Sequence, residues 1–245
     1  MRIDCGEVAD ERIRTAYGHL VKDGHVVLDR VIAPAAFAPL RAALEEMPPG
    51  TAVASRRHVL PLELAGAAAD RRIYANPAIV ALAREALDTN AVLLGLSADR
   101  ALPGAGPQHV DRDGRPLFDA AVSTLLPAHA LACVLPLDGP TEGAVEFAVW
   151  PGSHRWKTRD ENAAPVLVEL APGACLVRDA RLLSSESGNH ADTRRTVLRA
   201  VYARRWFRDA LQGLQRPTSR LALGDDFLAG VAPDDLGLFA HLSAP

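Results

Sequence analysis

Gln108-His109-Val110-Asp111 is the segment whose residue types and spacing could do chemistry. In extended chain, residues two apart point to the same side. An imidazole and a carboxylate can therefore converge on one metal ion. They would form two-thirds of the two-His-one-carboxylate arrangement that holds non-haem Fe(II) and leaves coordination positions open. Without a metal the same pair suits proton transfer, with His109 as general acid or base and Asp111 orienting it. The pattern is short, and His190-Ala191-Asp192 repeats it in a chain with eight His. The surrounding elements must decide between the two.

Glu7 to Asp23 carries apolar Ile13, Ala16, Tyr17 and Leu20, three and four apart, as one face of a helix requires. Gly24 ends that helix, and His25–Leu28 reads as a strand. Pro34 opens a second helix running to about Met47, before Pro48-Pro49-Gly50. A third helix runs from Pro77 to about Leu87, with Asn76 as its cap. From Ala91 the texture changes to short apolar or alternating runs punctuated by Gly, Pro, Asp and Asn. These are 91–96, 121–126, 129–137, 144–149, 166–170, 174–177 and 196–203. Helices first and strands later predict a segregated α+β protein with a β-sandwich or barrel. The tail from about Arg208 carries one or two weak helical turns. No linker divides the chain, so a single domain is expected over 1–245. Its helical lead-in covers about 1–90, its barrel about 91–207 and its tail about 208–245.

About thirty residues after His109 the chain reads Glu142-Gly143-Ala144-Val145-Glu146-Phe147-Ala148-Val149-Trp150-Pro151-Gly152-Ser153-His154-Arg155-Trp156. This resembles the (N)GA-x-x-x-x-PGSHRW stretch of phytanoyl-CoA dioxygenase-like proteins. Asp23 to Leu44 resembles their helix-strand-helix lead-in. Pro172 to Leu182 resembles their GD-x-L-x-F-D-x-R-L strand and turn. The resemblance covers roughly residues 18 to 207. It implies a double-stranded β-helix (a jelly-roll, cupin-like core) with an N-terminal helical buttress. It also implies Fe(II) and 2-oxoglutarate as cofactors, and oxidation of a small organic molecule. His109 and Asp111 become two iron ligands, and Gln108 faces the co-substrate. Arg195 pairs with the distal carboxylate of 2-oxoglutarate, as a guanidinium fork can; Arg194 is its neighbour. Asn189 matches an Asn five residues after the distal His. The Ala- and Arg-rich composition is that of high-GC bacterial chains, which suggests specialised metabolism.

Counting back from Asn189 and Arg195, the distal His falls on residue 184, which is Ser184. A neutral hydroxyl is a poor substitute for imidazole, and this departure leaves three readings open. Glu186 or His190 could supply the third ligand. Iron could be held weakly by His109, Asp111 and water. Or the pocket is metal-independent: an isomerase, cyclase or lyase, or an inactive partner of an active homologue. A small-ligand binding protein using the barrel mouth is a further class.

Composition narrows the field. Hydrophobic residues at 49% and charged residues at 23% are ordinary for a globular chain. A net charge of -3 without a basic face argues against nucleic acid. Arg56-Arg57 and Arg71-Arg72 read as solvated pairs. Three scattered cysteines, without Cys-x-x-Cys, argue against a disulfide scaffold or structural zinc and fit a cytoplasmic protein. Cys133 and Cys175 read as small core residues. No apolar run approaches the roughly 20 residues of a membrane helix. His154 and Trp156 are expected to serve the turn they occupy. Residues 50–75, 112–120 and the tail are expected to form loops that set specificity, and a homo-oligomer stays open.

Overall fold

The computed structural model describes residues 1–6, 9–119, 121–138, 145–207 and 221–242. The lead-in contains strand β1 (Arg2–Asp4), helix α1 (Asp10–Asp23), strand β2 (His25–Asp29) and helix α2 (Ala38–Glu46), the last entered through a 3-10 turn at Pro34–Phe37. Strands β3 (Thr51–Ala54), β4 (Arg57–Pro61) and β5 (Glu63–Leu64) follow, then helices α3 (Arg71–Tyr74) and α4 (Pro77–Leu87). The core strands are β6 (Val92–Ala101), β7 (Asp111–Arg112), β8 (Ala130–Pro136), β9 (Val145–Val149), β10 (Val166–Leu170), β11 (Cys175–Asp179), β12 (Leu183–Glu186) and β13 (Arg195–Ala203). A short β14 (Ala222–Leu223) pairs with β5.

Two antiparallel sheets carry the core. The large one has the order β1-β2-β11-β8-β13-β6-β4-β3, with β1 alone joined in parallel, and the small one β10-β9-β12-β7. The chain passes from one sheet to the other at β6–β7, β7–β8, β8–β9, β10–β11, β11–β12 and β12–β13. Such order and alternation are consistent with a jelly-roll core. Val134, Leu176 and Val197 of the large sheet meet Phe147, Val149, Val168 and Leu170 of the small one in an apolar layer. The other face of the large sheet presents Leu131, Cys133, Leu135, Cys175, Val177, Leu198 and Tyr202 to the helices. Buried on both faces, β8 and β13 lose the polar alternation of a one-sided strand.

The helices form for the expected reasons. Ile13, Ala16 and Leu20 give α1 one buried stripe, and Gly24 at φ 79° closes it with its N–H on the Leu20 carbonyl. Asn76 caps α4 by accepting from the Ala78 and Ile79 N–H groups. The Pro151–Trp156 turn holds the other side of α1. Arg155 donates to the Val21 carbonyl at 2.6 Å, and His154 Nε2 lies 3.3 Å from the same oxygen. A Cβ on Gly24 would come within 2.5 Å of His154 Nδ1 and of Leu182. Burial lowers the pKa of His154, and does the same to His25.

Three expectations change. Residues 121–126 do not form a strand: Ala121–Thr124 is a 3-10 turn. The carbonyls of Ser123 and Leu126 go to Arg181, whose Nε and Nη2 grip Asp179, so no ladder uses them. Residues 51–61 are not a free loop but a hairpin that extends the large sheet past β6. Arg57 is not solvated; it is 4% exposed. Arg71 and Arg72 do reach solvent. The expected start of α1 at Glu7, the residues 142–144 of the resemblance and the tail turns at 208–220 lie outside the described residues. Among the described residues no helix is long and apolar enough to cross a membrane.

Candidate functional site

Strands β6, β8 and β13, the β3–β4 hairpin and the 106–113 segment line a cavity of about 530 Å³. His109, Asp111 and the side of Gln108 border it. The segment is fastened by backbone. Gln108 N–H donates to the Glu186 carbonyl at 2.9 Å, and Ser185 Oγ donates to the Gln108 carbonyl at 2.6 Å. β7 then pairs with β12, with Asp111 opposite Ser184 and Arg112 opposite Leu183. His109 and Asp111 are exposed at the cavity mouth. Asp111 Oδ1 accepts the N–H of Arg112 at 2.7 Å.

Ser184 is buried, and its Oγ accepts a hydrogen bond from Arg178 Nη1. Arg178 comes from β11 on the facing sheet, where the resembling pattern has Phe. Its guanidinium lies 5.4 Å from the centre of the Phe147 ring. Its Nη2 donates to Asp113 Oδ2 at 2.8 Å. The other Asp113 oxygen takes Nη1 of Arg199 at 2.9 Å, and Arg199 Nε donates to Asp99 at 2.9 Å. Ser97 Oγ completes the row on Asp99 at 3.1 Å. Two guanidinium groups and two carboxylates thus alternate across the space between the sheets. Burial alone would lower the pKa of Arg199, but Asp113 and Asp99 outweigh it and raise it, so the group stays charged.

A second cluster encloses Glu186. Its Oε1 accepts from Arg195 Nη2 at 2.7 Å and from Arg57 Nη1 at 3.1 Å. Arg195 also donates to the Ser187 and Gly188 carbonyls, and Arg57 to the Gly106 and Ser187 carbonyls. All three side chains are under 10% exposed. Asn189 fastens the neighbouring turn through the Ala101 and Thr193 carbonyls. Arg194 instead faces outward and pairs with Glu45.

The residues present do not fit an iron–2-oxoglutarate centre. Ser184, opposite Asp111, already has a cationic donor on its oxygen, and a guanidinium there repels a second cation. Glu186 Oε1 is taken by two arginines, while its Oε2 is buried with no hydrogen-bond partner among the described residues. His190 is exposed in the β12–β13 connection. Among the described residues no three His, Cys, Asp or Glu side chains cluster to hold a metal. Arg195 meets a carboxylate as expected, but the carboxylate belongs to Glu186. Sequence reasoning missed Arg178, Asp113, Arg199 and Arg57. Two signals were present: Arg195 and Arg199, like Asp111 and Asp113, are spaced to share a strand face, and Arg178 replaces an aromatic in the resembling pattern.

No family model matches the chain, and no curated protein matches it. Solved structures with a similar fold include the following three. The epimerase SnoN, in complex with Fe3+, alpha ketoglutarate and nogalamycin RO, is 20% identical; the match covers 84% of this chain and 90% of that one, with a TM-score of 0.65. AviO1 from Streptomyces viridochromogenes Tue57 is 19% identical over 83% and 100% of the two chains, TM-score 0.61. The non-haem monooxygenase ThoJ, in its Ni complex, is 20% identical over 78% of each chain, TM-score 0.56.

Proposed function

We propose that this chain is a metal-independent enzyme on a double-stranded β-helix of the phytanoyl-CoA dioxygenase type. It acts on a small organic molecule bound in the His109–Asp111 cavity, by isomerisation, cyclisation or elimination. The observation that carries this reading is the hydrogen bond from Arg178 to Ser184: a fixed positive charge stands beside the position where a third iron ligand would be needed. Glu186 supports it from the other side, since its carboxylate takes up Arg195. His109, at the cavity mouth, is the residue to move a proton, and Asp111 the one to orient or charge-balance it. Leu94, Leu96, Ala130, Ala132 and Val201 would pack against the apolar part of the bound molecule.

The competing reading is an Fe(II)/2-oxoglutarate oxygenase. The fold likeness to enzymes holding Fe3+ or Ni favours it, as does the presence of His109 and Asp111 on one cavity. Anaerobic titration of the purified protein with Fe(II) and 2-oxoglutarate separates the two. The metal-independent reading expects no charge-transfer band. A band at near-stoichiometric iron would sink it.

A further inference from the structure

The way Arg199 is held leaves one edge of its guanidinium for the cavity. Nε and Nη1 are taken by Asp99 and Asp113. Nη2 takes part in neither pair, and among the described residues no protein acceptor is found for it. The side chain borders the cavity. A donor gripped from two sides cannot swing away, so it is preorganised for an oxygen that becomes negative during a reaction. Beyond its two carboxylate partners, Leu94, Ala130, Ala132 and Val201 give the cavity an apolar stretch of wall. The lining cations each have a carboxylate partner, so none is left over to pair with a permanent carboxylate on a ligand. Arg199 is matched by Asp99 and Asp113, Arg57 by Glu186, and the carboxylate left over is Asp111.

We propose that Arg199 is the oxyanion-binding residue for an uncharged, largely apolar carbonyl substrate that enolises in this cavity. This rests on the metal-independent reading. The C–H bond beside the carbonyl breaks and its proton passes to the His109 imidazole. The electron pair moves onto the carbonyl oxygen, which Arg199 Nη2 stabilises. His109 then returns the proton to another carbon of the same molecule. The product is an isomer, and no oxidant or reductant is consumed. Binding a substrate oxygen by a rigid donor in an apolar site is a known route to stabilising enolate-like charge.

The probe is 4-nitrophenol, whose phenolate imitates an enolate and absorbs separately from the phenol. Titrated into the chelator-treated wild-type protein below the probe's own pKa, it should bind one per chain. The bound probe should be enriched in phenolate by about tenfold over the free probe, the size of a one-unit pKa shift. Arg199→Lys keeps a charge but loses the fork, and should remove most of that enrichment. Val201→Trp fills the cavity and should abolish binding. A probe bound as neutral phenol, an enrichment unchanged in Arg199→Lys, or binding unchanged in Val201→Trp overturns the assignment. If Arg199→Lys does not fold, the wild-type titration and Val201→Trp still decide. Enrichment seen only after Fe(II) is added overturns both this assignment and the metal-independent reading. A silent iron titration with no enrichment overturns the Arg199 assignment alone.

Discussion

Asp111 and Ser184 face each other across the β7–β12 ladder, and the hydroxyl between the sheets belongs to the arginine opposite. Restoring an imidazole at that position is therefore not enough to build a metal site. Ser184→His alone leaves Arg178 in place and should give no charge-transfer band with Fe(II) and 2-oxoglutarate. The double variant Ser184→His/Arg178→Phe removes the opposing cation, and a band is expected there. Anaerobic absorbance spectra of the two variants side by side check this. A band in the single variant would show that Arg178 is no obstacle.

Asp113 is the counter-charge for two buried guanidinium groups. Asp113→Asn keeps the shape and removes the charge, leaving Arg178 and Arg199 facing each other. Removing one partner of a buried pair costs about 3–5 kcal/mol. Asp113 is partly exposed, so the lower end, about 3 kcal/mol, is expected, read as a lower denaturant midpoint with unchanged slope.

Glu186→Ala should destabilise the chain and open a carboxylate-sized space beside Arg57 and Arg195. Millimolar 2-oxoglutarate or acetate should then raise the melting temperature of the variant and leave the wild type unchanged, as binding to the folded state alone requires. Equal shifts in both proteins would contradict the idea that Glu186 fills the Arg195 site.

Acid should weaken the fold before its carboxylates titrate. Burial lowers the pKa of both His25 and His154 from the ordinary 6.5. The unfolded chain then binds more protons than the folded one just below that value, so this stability is present above pH 6.5 and lost as pH falls through the folded values. Urea unfolding at pH 7.5 and at pH 5.5 should show the loss. The double variant His25→Gln/His154→Gln should show less of it.

The sequence carried the fold further than the chemistry. Periodicity and caps located α1 and α4 because each signal is local: a stripe at three and four, Gly24 behind one helix, Asn76 before the other. The apolar strands β8, β10 and β13 were legible for the same reason. β7 and β12 were not visible as strands by composition, since each is short and polar and exists through its pairing partner. The run at 121–126 looked like a strand until Arg181, nearly sixty residues away, claimed its carbonyls. Counting from Asn189 and Arg195 put Ser184 at the third-ligand position, yet no local rule could show its pairing with Asp111 or that Arg178 would reach it from the other sheet. Ion pairs between distant segments have no sequence period. Glu186, weighed as a metal ligand because of its carboxylate, turns out to be defined by the two arginines that meet it.

The two charge clusters also bear on how this protein comes to be complete after synthesis. Where buried charges are balanced by a captured ion or small acid, stability rises by mass action with the supply of that ligand and falls when it is withdrawn. Here the counter-charges of Ser184's neighbour Arg178, of Arg199 and of Arg195 are side chains of the same polypeptide. Folding itself closes the circuit. On the metal-independent reading, balancing these charges draws on neither iron nor keto acid from the surroundings.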